Sequence, residues 1–418
     1  MNKINIALTL CLFSLALTGQ PCPDSIYFTS QAQIDSFQIV YPNCTEIEGT
    51  VLIDGEDISN LNGLSALSSI GGSLVVGKDF KIGTGNPNLT SLSGLDNLLT
   101  IGGDLHIQFA WALSNLEGLD ALTLISGDLI LTGFNYLVSP DGLGALDYVG
   151  GDVLIQSLYT LTNINSLNNV DSIGGALVIE DNEALADING LSNLDYVGSG
   201  VYLTALSRVK NLSGLGSLES VGGSLFISSN DSLLHIADLI SLKTINGNLW
   251  LQSNPLLASL QGLDDIDPGS ITGIYIFNND KLSVCEVESV CAYLANPSGA
   301  TFFENNTIGC KSAEEVLDSC EANAVSVDEH HLFENLSISP NPFTTSTTLS
   351  FRLEKPENVQ FTVYNVQSEI VFEMQERQDK GEQEIIWNAE GLPAGMYFIR
   401  LQTGDKIVGR KLLKLKDN

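Results

Sequence analysis

The stretch Ser172-Ile-Gly-Gly-Ala-Leu-Val-Ile-Glu-Asp-Asn182 places a glycine pair directly before a short run of strand-forming residues. Such a pair can cradle a phosphate, turn a chain, or let two backbones approach closely. The rest of the chain decides among these. The element recurs as Ile101-Gly-Gly, Ile125-Ser-Gly, Val149-Gly-Gly, Ile173-Gly-Gly, Val197-Gly-Ser, Val221-Gly-Gly and Ile245-Asn-Gly, each 24 residues after the last. Ile47-Glu-Gly and Ile70-Gly-Gly precede these. The second of them lies 31 residues ahead of its successor, and the surplus of seven fits an insertion around Gly77 to Asn86. A further copy follows near Ile274-Tyr-Ile, one residue out of register. A phosphate loop runs once into a helix, with a lysine or an acidic ribose ligand behind it. Nine copies that run into strands do not fit that chemistry.

Within one copy, Ile173, Leu177 and Ile179 precede Leu185, Ile188, Leu191 and Leu194, and Val197 opens the next. The spacing of four and then two marks a short strand with Leu177 and Ile179 on one face. The later steps of three mark an irregular, extended return path. Self-similarity at this period predicts a solenoid whose coils bury an apolar row against their neighbours. The second glycine position is Gly in eight of nine copies, with Ser199 the exception. One point per coil therefore needs a backbone conformation or a closeness that a Cβ obstructs.

The segment Asn43-Cys-Thr-Glu-Ile-Glu-Gly-Thr-Val-Leu-Ile53 and the repeated L-xx-L-xx-I-GG-x-L-x-I pattern resemble the receptor L-domain, the leucine-rich coil of growth-factor-receptor ectodomains. The resemblance covers roughly residues 25 to 320 and implies a right-handed β-solenoid. It departs from ordinary leucine-rich repeats, because Asn182, Asn230, Asn254 and Asn279 hold the asparagine position while Ala110, Phe134, Leu158 and Leu206 hold it elsewhere. Receptor signalling is not carried over. A solenoid needs caps at its ends. Ser30 to Phe37 reads as a helix at the start, and Val284 to Leu294 as one at the end. Ser312-Ala-Glu-Glu315 opens another as a capping box.

Met1 to Gly19 read as a secretory leader, with Lys3 before an apolar run and small residues at Thr18-Gly19. Of seven cysteines, Cys11 falls in the leader, leaving Cys22, Cys44, Cys285, Cys291, Cys310 and Cys320 as disulfide candidates. Cys22 with Cys44 suits the first cap, and the last four allow three connectivities. Zinc is the rival reading, without a CxxC pair or a nearby histidine to support it. The formal charge is −32. The first 335 residues carry eight basic and thirty-nine acidic groups, and the remainder ten and eleven. Such a surface repels nucleic acid and anionic lipid, and it either serves solubility or attracts cations and basic partners.

After Cys320 the periodicity stops. Residues 323–335 read as a polar linker, with His330-His331 a minor metal candidate. From Leu336 the pattern is strands at Thr348–Leu353, Val359–Val366, Glu369–Glu373, Gln383–Trp387 and Met396–Leu401, a small Ig-like β-sandwich. Ser337-Ile-Ser-Pro-Asn-Pro-Phe343, Val363-Tyr-Asn-Val366, Gly391-Leu-Pro-Ala-Gly-Met-Tyr397 and Arg410-Lys-Leu412 resemble the C-terminal sorting domain of the type IX secretion system of Bacteroidota. Its motif residues here are Pro340, Asn341, Pro342, Gly391, Gly395, Tyr397 and Lys411, and Ser368 departs from the usual turn glycine. The resemblance implies export through the periplasm to the outer-membrane surface or beyond, with the secretion machinery as partner. The expected organisation is a leader at 1–19, a disulfide-capped solenoid at 20–322, a linker at 323–335 and a sorting domain at 336–418.

The strand pattern also predicts an outward column, Val75, His106, Ile130, Leu154, Val178, Tyr202, Phe226, Trp250, Tyr275. Asp104, Asp128 and Asp152 precede the inward pair in three successive coils, and Gln108, Thr132, Gln156 and Gln252 follow it. Tyr202, Phe226, Trp250 and Tyr275 with these carboxylates and amides suit a sugar chain, an extended peptide or a protein surface. The alternative is that the stacked apolar residues only stabilise the sheet. The three aspartates as a paired-carboxylate glycosidase lack any burial to raise one pKa. No nucleophile elbow and no metal-binding histidine pair appears. The expectation is a secreted or surface binding and adhesion protein, not an enzyme, without cofactor, nucleic-acid partner or membrane insertion. A structural matrix component and, further off, a solenoid glycosidase are the alternatives.

Overall fold

The computed structural model describes residues 20–77, 85–325, 336–353, 355–367, 369–403 and 406–416. The expected leader, most of the insertion after Gly77, the His330-His331 pair and Ser368 lie outside these. The chain divides into two compact units between Cys320 and Glu321. The last helix of the first unit, Ala313–Val325, runs across that division. The expected linker is therefore shorter at its start, because the helix opened at Ser312 continues past Cys320.

The first unit is built from two parallel sheets. Twelve strands stand in chain order in the longer one, from Ile26–Phe28 through Leu177–Glu180 to Thr301–Glu304. Nine two-residue strands, from Glu46–Ile47 to Thr244–Ile245, form the other. This second sheet replaces the irregular return path expected around the Ile-Gly-Gly elements, whose Ile or Val pairs in register with its counterpart one coil on, as Ile173 does with Val197. Long parallel sheets of this kind fit a β-solenoid. Each coil adds its own layer of leucines, isoleucines and valines to one continuous core, so that Leu177, Ile179, Leu185, Ile188, Leu191 and Leu194 are all buried. Full burial of such a side chain stabilises by about 1.5–3 kcal/mol.

The glycine pair is resolved as a close-approach device. Gly174 donates its N–H to Val149 O at 2.8 Å, and a Cβ on it would lie 2.2 Å from Gly150 O of the preceding coil. Its φ lies outside the left-handed region. The left-handed residue of each coil sits elsewhere, just after the long-sheet strand, at Gly77, Phe109, Gly133, Ser157, Asp181, Ala205, Ser229, Ser253, Asn278 and Asn305. Two of these ten are glycine, so the composition conceals the turn.

Beside that turn runs a buried asparagine ladder. Asn254 Nδ2 donates to Ile227 O at 3.0 Å, and its Oδ1 accepts from Asn230 N at 3.1 Å. Asn182, Asn230 and Asn279 repeat the pattern, and Asn86 and Asn306 extend it at both ends. Both added members lie across irregular spacings, 31 and 27 residues, which hid them from a 24-residue count.

The caps are helical and cross-linked. The first helix is Gln31–Val40, a turn longer than the sequence suggested, with Ile34 and Phe37 buried. Cys22–Cys44 closes that end. At the other end the disulfides are Cys285–Cys310 and Cys291–Cys320, one of the three open connectivities. The helix expected from Val284 begins at Glu288 instead, because Val284 O accepts from Leu260 N and Cys285 is tied to Cys310. The capping box forms at Ala313–Val325. Glu315 N donates to Ser312 Oγ at 3.1 Å, and Glu315 Oε2 accepts from Lys311 N at 2.8 Å.

The second unit packs two antiparallel sheets over Trp387, Phe343, Phe351, Phe361 and Tyr397, an arrangement that fits a sandwich. One sheet orders Ser337–Ser339, Ser346–Leu353, Gly381–Asn388. The other orders Ile370–Gln378, Glu357–Asn365, Gly395–Thr403, Lys406–Lys414. The last strand was quoted as a motif and not foreseen as a strand, because its Arg410-Lys411 pair obscures the alternation.

Two measurements test this account. Gly174→Ala is expected to destabilise the first unit by about 1–3 kcal/mol through overpacking against Gly150 O, seen as a lower denaturation midpoint. Hydrogen bonds from the Gly309 and Lys311 backbone hold the Glu315 carboxyl below its ordinary value. The stabilisation they give is complete above the ordinary carboxylate range and drains as pH falls through the lowered folded value. An NMR titration of Glu315 is expected to place its midpoint below that of the unfolded chain, and Glu315→Gln to remove this part of the acid sensitivity.

Candidate functional site

The long sheet aligns its outward residues in a single column. Register pairs Tyr27 with Leu52, Leu52 with Val75 and Val75 with His106, and the row continues through Ile130, Leu154, Val178, Tyr202, Phe226, Trp250 and Tyr275 to Phe302. The expected column is thus in place, and Tyr27 and Phe302 lengthen it at both ends. Both additions belong to coils without an Ile-Gly-Gly element, so the repeat gave no cue to them. Phe277, in the following row, was also missed.

The four aromatics meet as a stack. Tyr202 and Phe226 lie 6.0 Å apart between centroids at 38°, Phe226 and Trp250 5.5 Å at 24°, and Trp250 and Tyr275 4.5 Å at 23°. Phe277 closes on Trp250 edge-on at 5.5 Å, and Phe302 on Phe277 at 5.3 Å. Trp250 Nε1 donates to Gln252 Oε1 at 3.0 Å. The physical consequence is that each ring spends its faces on its neighbours. An open ring face, the feature that suited a pyranose, is used up inside the stack, and the column offers ring edges and a flat apolar strip instead.

The aspartate row is likewise committed. Asp128 N donates to Asp104 Oδ1 at 2.9 Å, Asp152 N to Asp128 Oδ1 at 2.7 Å, and Ala176 N to Asp152 Oδ1 at 2.6 Å. Ser73 Oγ starts this ladder by accepting from Asp104 N at 2.9 Å. Each carboxylate therefore caps the next coil. It also explains the second glycine of the pair, since a Cβ on Gly175 would lie 2.2 Å from Asp152 Oδ1. Ser199, the exception, follows a coil in which Ala176 replaces the aspartate. Gln108, Thr132 and Gln156 align in register, and Gln156 Nε2 donates to Glu180 Oε2 at 3.1 Å. Gln252 lies four coils beyond Gln156, with Trp250, so the amides do not form one cluster.

Among the described residues no group of three or more His, Cys, Asp or Glu is arranged to hold a metal ion. No described helix is long and apolar enough to cross a membrane.

In the second unit the motif residues converge on the strand Lys406–Lys414. Asn341 Nδ2 donates to Lys411 O at 3.0 Å and its Oδ1 accepts from Leu413 N at 2.9 Å. Pro340 and Pro342, on either side, both follow cis peptide bonds. Gly391 and Gly395 take left-handed φ of 83° and 152°, and Tyr397 Oη donates to Pro393 O at 2.8 Å across the turn between them.

Residues 337–415 match the family model described as the secretion system C-terminal sorting domain. This domain indicates export by the type IX secretion system, contact with that machinery, and secretion or attachment at the cell surface. No curated protein matches the chain.

The aspartate ladder has its own test. Asp128→Ala is expected to cost about 1–2 kcal/mol by leaving Asp152 N without its acceptor. Asp128→Asn, which keeps the Oδ1 acceptor, is expected to cost less than half of that in the same denaturation experiment.

Proposed function

We propose that the solenoid unit is a secreted or surface-attached binding module that engages a protein ligand through the outward face of its long sheet. The observation that carries this reading is the unbroken outward column, apolar apart from His106, which ends in large rings. Tyr27, Tyr202 and Phe302 are 42%, 36% and 41% exposed. A flat apolar strip with ring edges suits the apolar core of a protein interface, which is enriched in aromatic residues. Its resemblance to the receptor L-domain, with the right-handed coil this implies, supports the same reading, because that fold presents a parallel sheet as a surface.

A glycan ligand on this column is less well supported, since the ring faces are occupied by one another. The stacking favours, as second reading, a structural matrix component whose column only stiffens the sheet. An enzymatic role is not proposed. The aspartates that suggested paired carboxylates each give an oxygen to a backbone N–H of the next coil.

Arrays of immobilised extracellular proteins and polysaccharides, probed with the labelled exported chain, separate these readings. The expected result is binding to a protein that weakens at least tenfold in a Phe226→Ala/Trp250→Ala variant, a loss of about 1.4 kcal/mol or more. Unchanged binding in that variant would assign the column to structure alone. Retention on polysaccharide and on no protein would replace the ligand class.

A further inference from the structure

We propose that a second surface docks a lysine- or arginine-rich segment of a partner protein. It lies where three successive strands of the long sheet turn away. Trp111, Tyr136 and Tyr159 stand there 40%, 64% and 59% exposed, with Val138 at 46%. They follow Ala110, Phe134 and Leu158, the coils in which an apolar residue takes the asparagine position. The turns are stacked directly. Val138 N donates to Ser114 O at 3.0 Å, Thr162 N to Val138 O at 2.9 Å, and Thr160 Oγ1 to Leu137 O at 2.9 Å. Adjacent coils stand about 4.8 Å apart, so Trp111 and Tyr159, two coils apart, bracket a strip of about 10 Å.

Charge selects the occupant. Between positions 82 and 207 the sequence holds fourteen Asp and Glu and no Lys or Arg. Exposed Glu183 takes the place of Tyr159 in the next coil. A second copy of this chain would bring like charge against like charge, as would anionic lipid, nucleic acid or an acidic polysaccharide. Largely exposed rings, unlike the stacked rings of the sheet column, keep faces for a cation, and carboxylates around them strengthen the pull. Guanidinium is favoured over ammonium because it also lies flat on an aromatic face. This surface is independent of the sheet column and does not rest on its function.

The test uses the full exported chain with an oligo-arginine peptide, an oligo-lysine peptide, a neutral Gly/Ser peptide and a neutral oligosaccharide as probes. The expected result is binding of the cationic peptides, arginine tighter than lysine, that weakens with salt. Trp111→Ala/Tyr159→Ala is expected to lower oligo-arginine affinity about tenfold, while Phe226→Ala/Trp250→Ala leaves it unchanged. Denaturation midpoints establish that both variants fold. Equal binding by the turn variant and the unmodified chain overturns the proposal in favour of diffuse charge attraction. Absence of cationic-peptide binding, or patch-dependent binding of the oligosaccharide alone, overturns it as well.

Discussion

Every coil of the first unit must lie one strand spacing from the next, and this constraint governs the choice of residue nearly everywhere else. At that separation backbone meets backbone at the Ile-Gly-Gly element, and a Cβ on Gly174 would reach within 2.2 Å of Gly150 O. The same spacing lets a short polar side chain bridge two coils. Asparagines do this in the buried interior and aspartates on the sheet edge. Both ladders serve backbone groups that otherwise cost free energy when buried or left unpaired. The aspartate ladder and the second glycine constrain each other, since the Oδ1 occupies the space where a Cβ would go.

The sequence disclosed this architecture where one residue type does one job in every coil. Leucine columns, the glycine pair and the outward row are of that kind, and each stands where the 24-residue count put it. Features with degenerate chemistry stayed hidden. The left-handed turn accepts Phe109, Asp181, Ala205 and Ser253 as well as glycine, because the surrounding coils impose the conformation. Asn86 and Asn306 were missed because loop lengths change around them. Disulfide pairing among four cysteines depends on how two cap helices cross, which no local pattern encodes.

The candidate site was legible in its members and not in its chemistry. The rings of Tyr202, Phe226, Trp250 and Tyr275 were placed correctly, yet counting residues cannot say whether a ring shows its face or its edge. In-register stacking at strand spacing makes neighbouring rings pack on one another, so a continuous aromatic column consumes the surface that recognises a sugar. Aspartates at the same spacing behave alike, turning into caps for the next coil. Perfect register therefore favours self-interaction, and side chains that interrupt it stay available to a ligand.

That argument separates two kinds of aromatic on one solenoid. Rings in the sheet column are 24 or 25 residues apart on equivalent positions and stack. Trp111, Tyr136 and Tyr159 are 25 and 23 residues apart, alternating between two neighbouring positions of the turn, and remain 40–64% exposed. They occur where the asparagine ladder is interrupted by Ala110, Phe134 and Leu158. Each coil there seals its turn with apolar packing rather than a bridging amide, and the turn then tolerates bulk on its outer side. A break in the internal ladder thus coincides with an outer surface that the regular coils do not build.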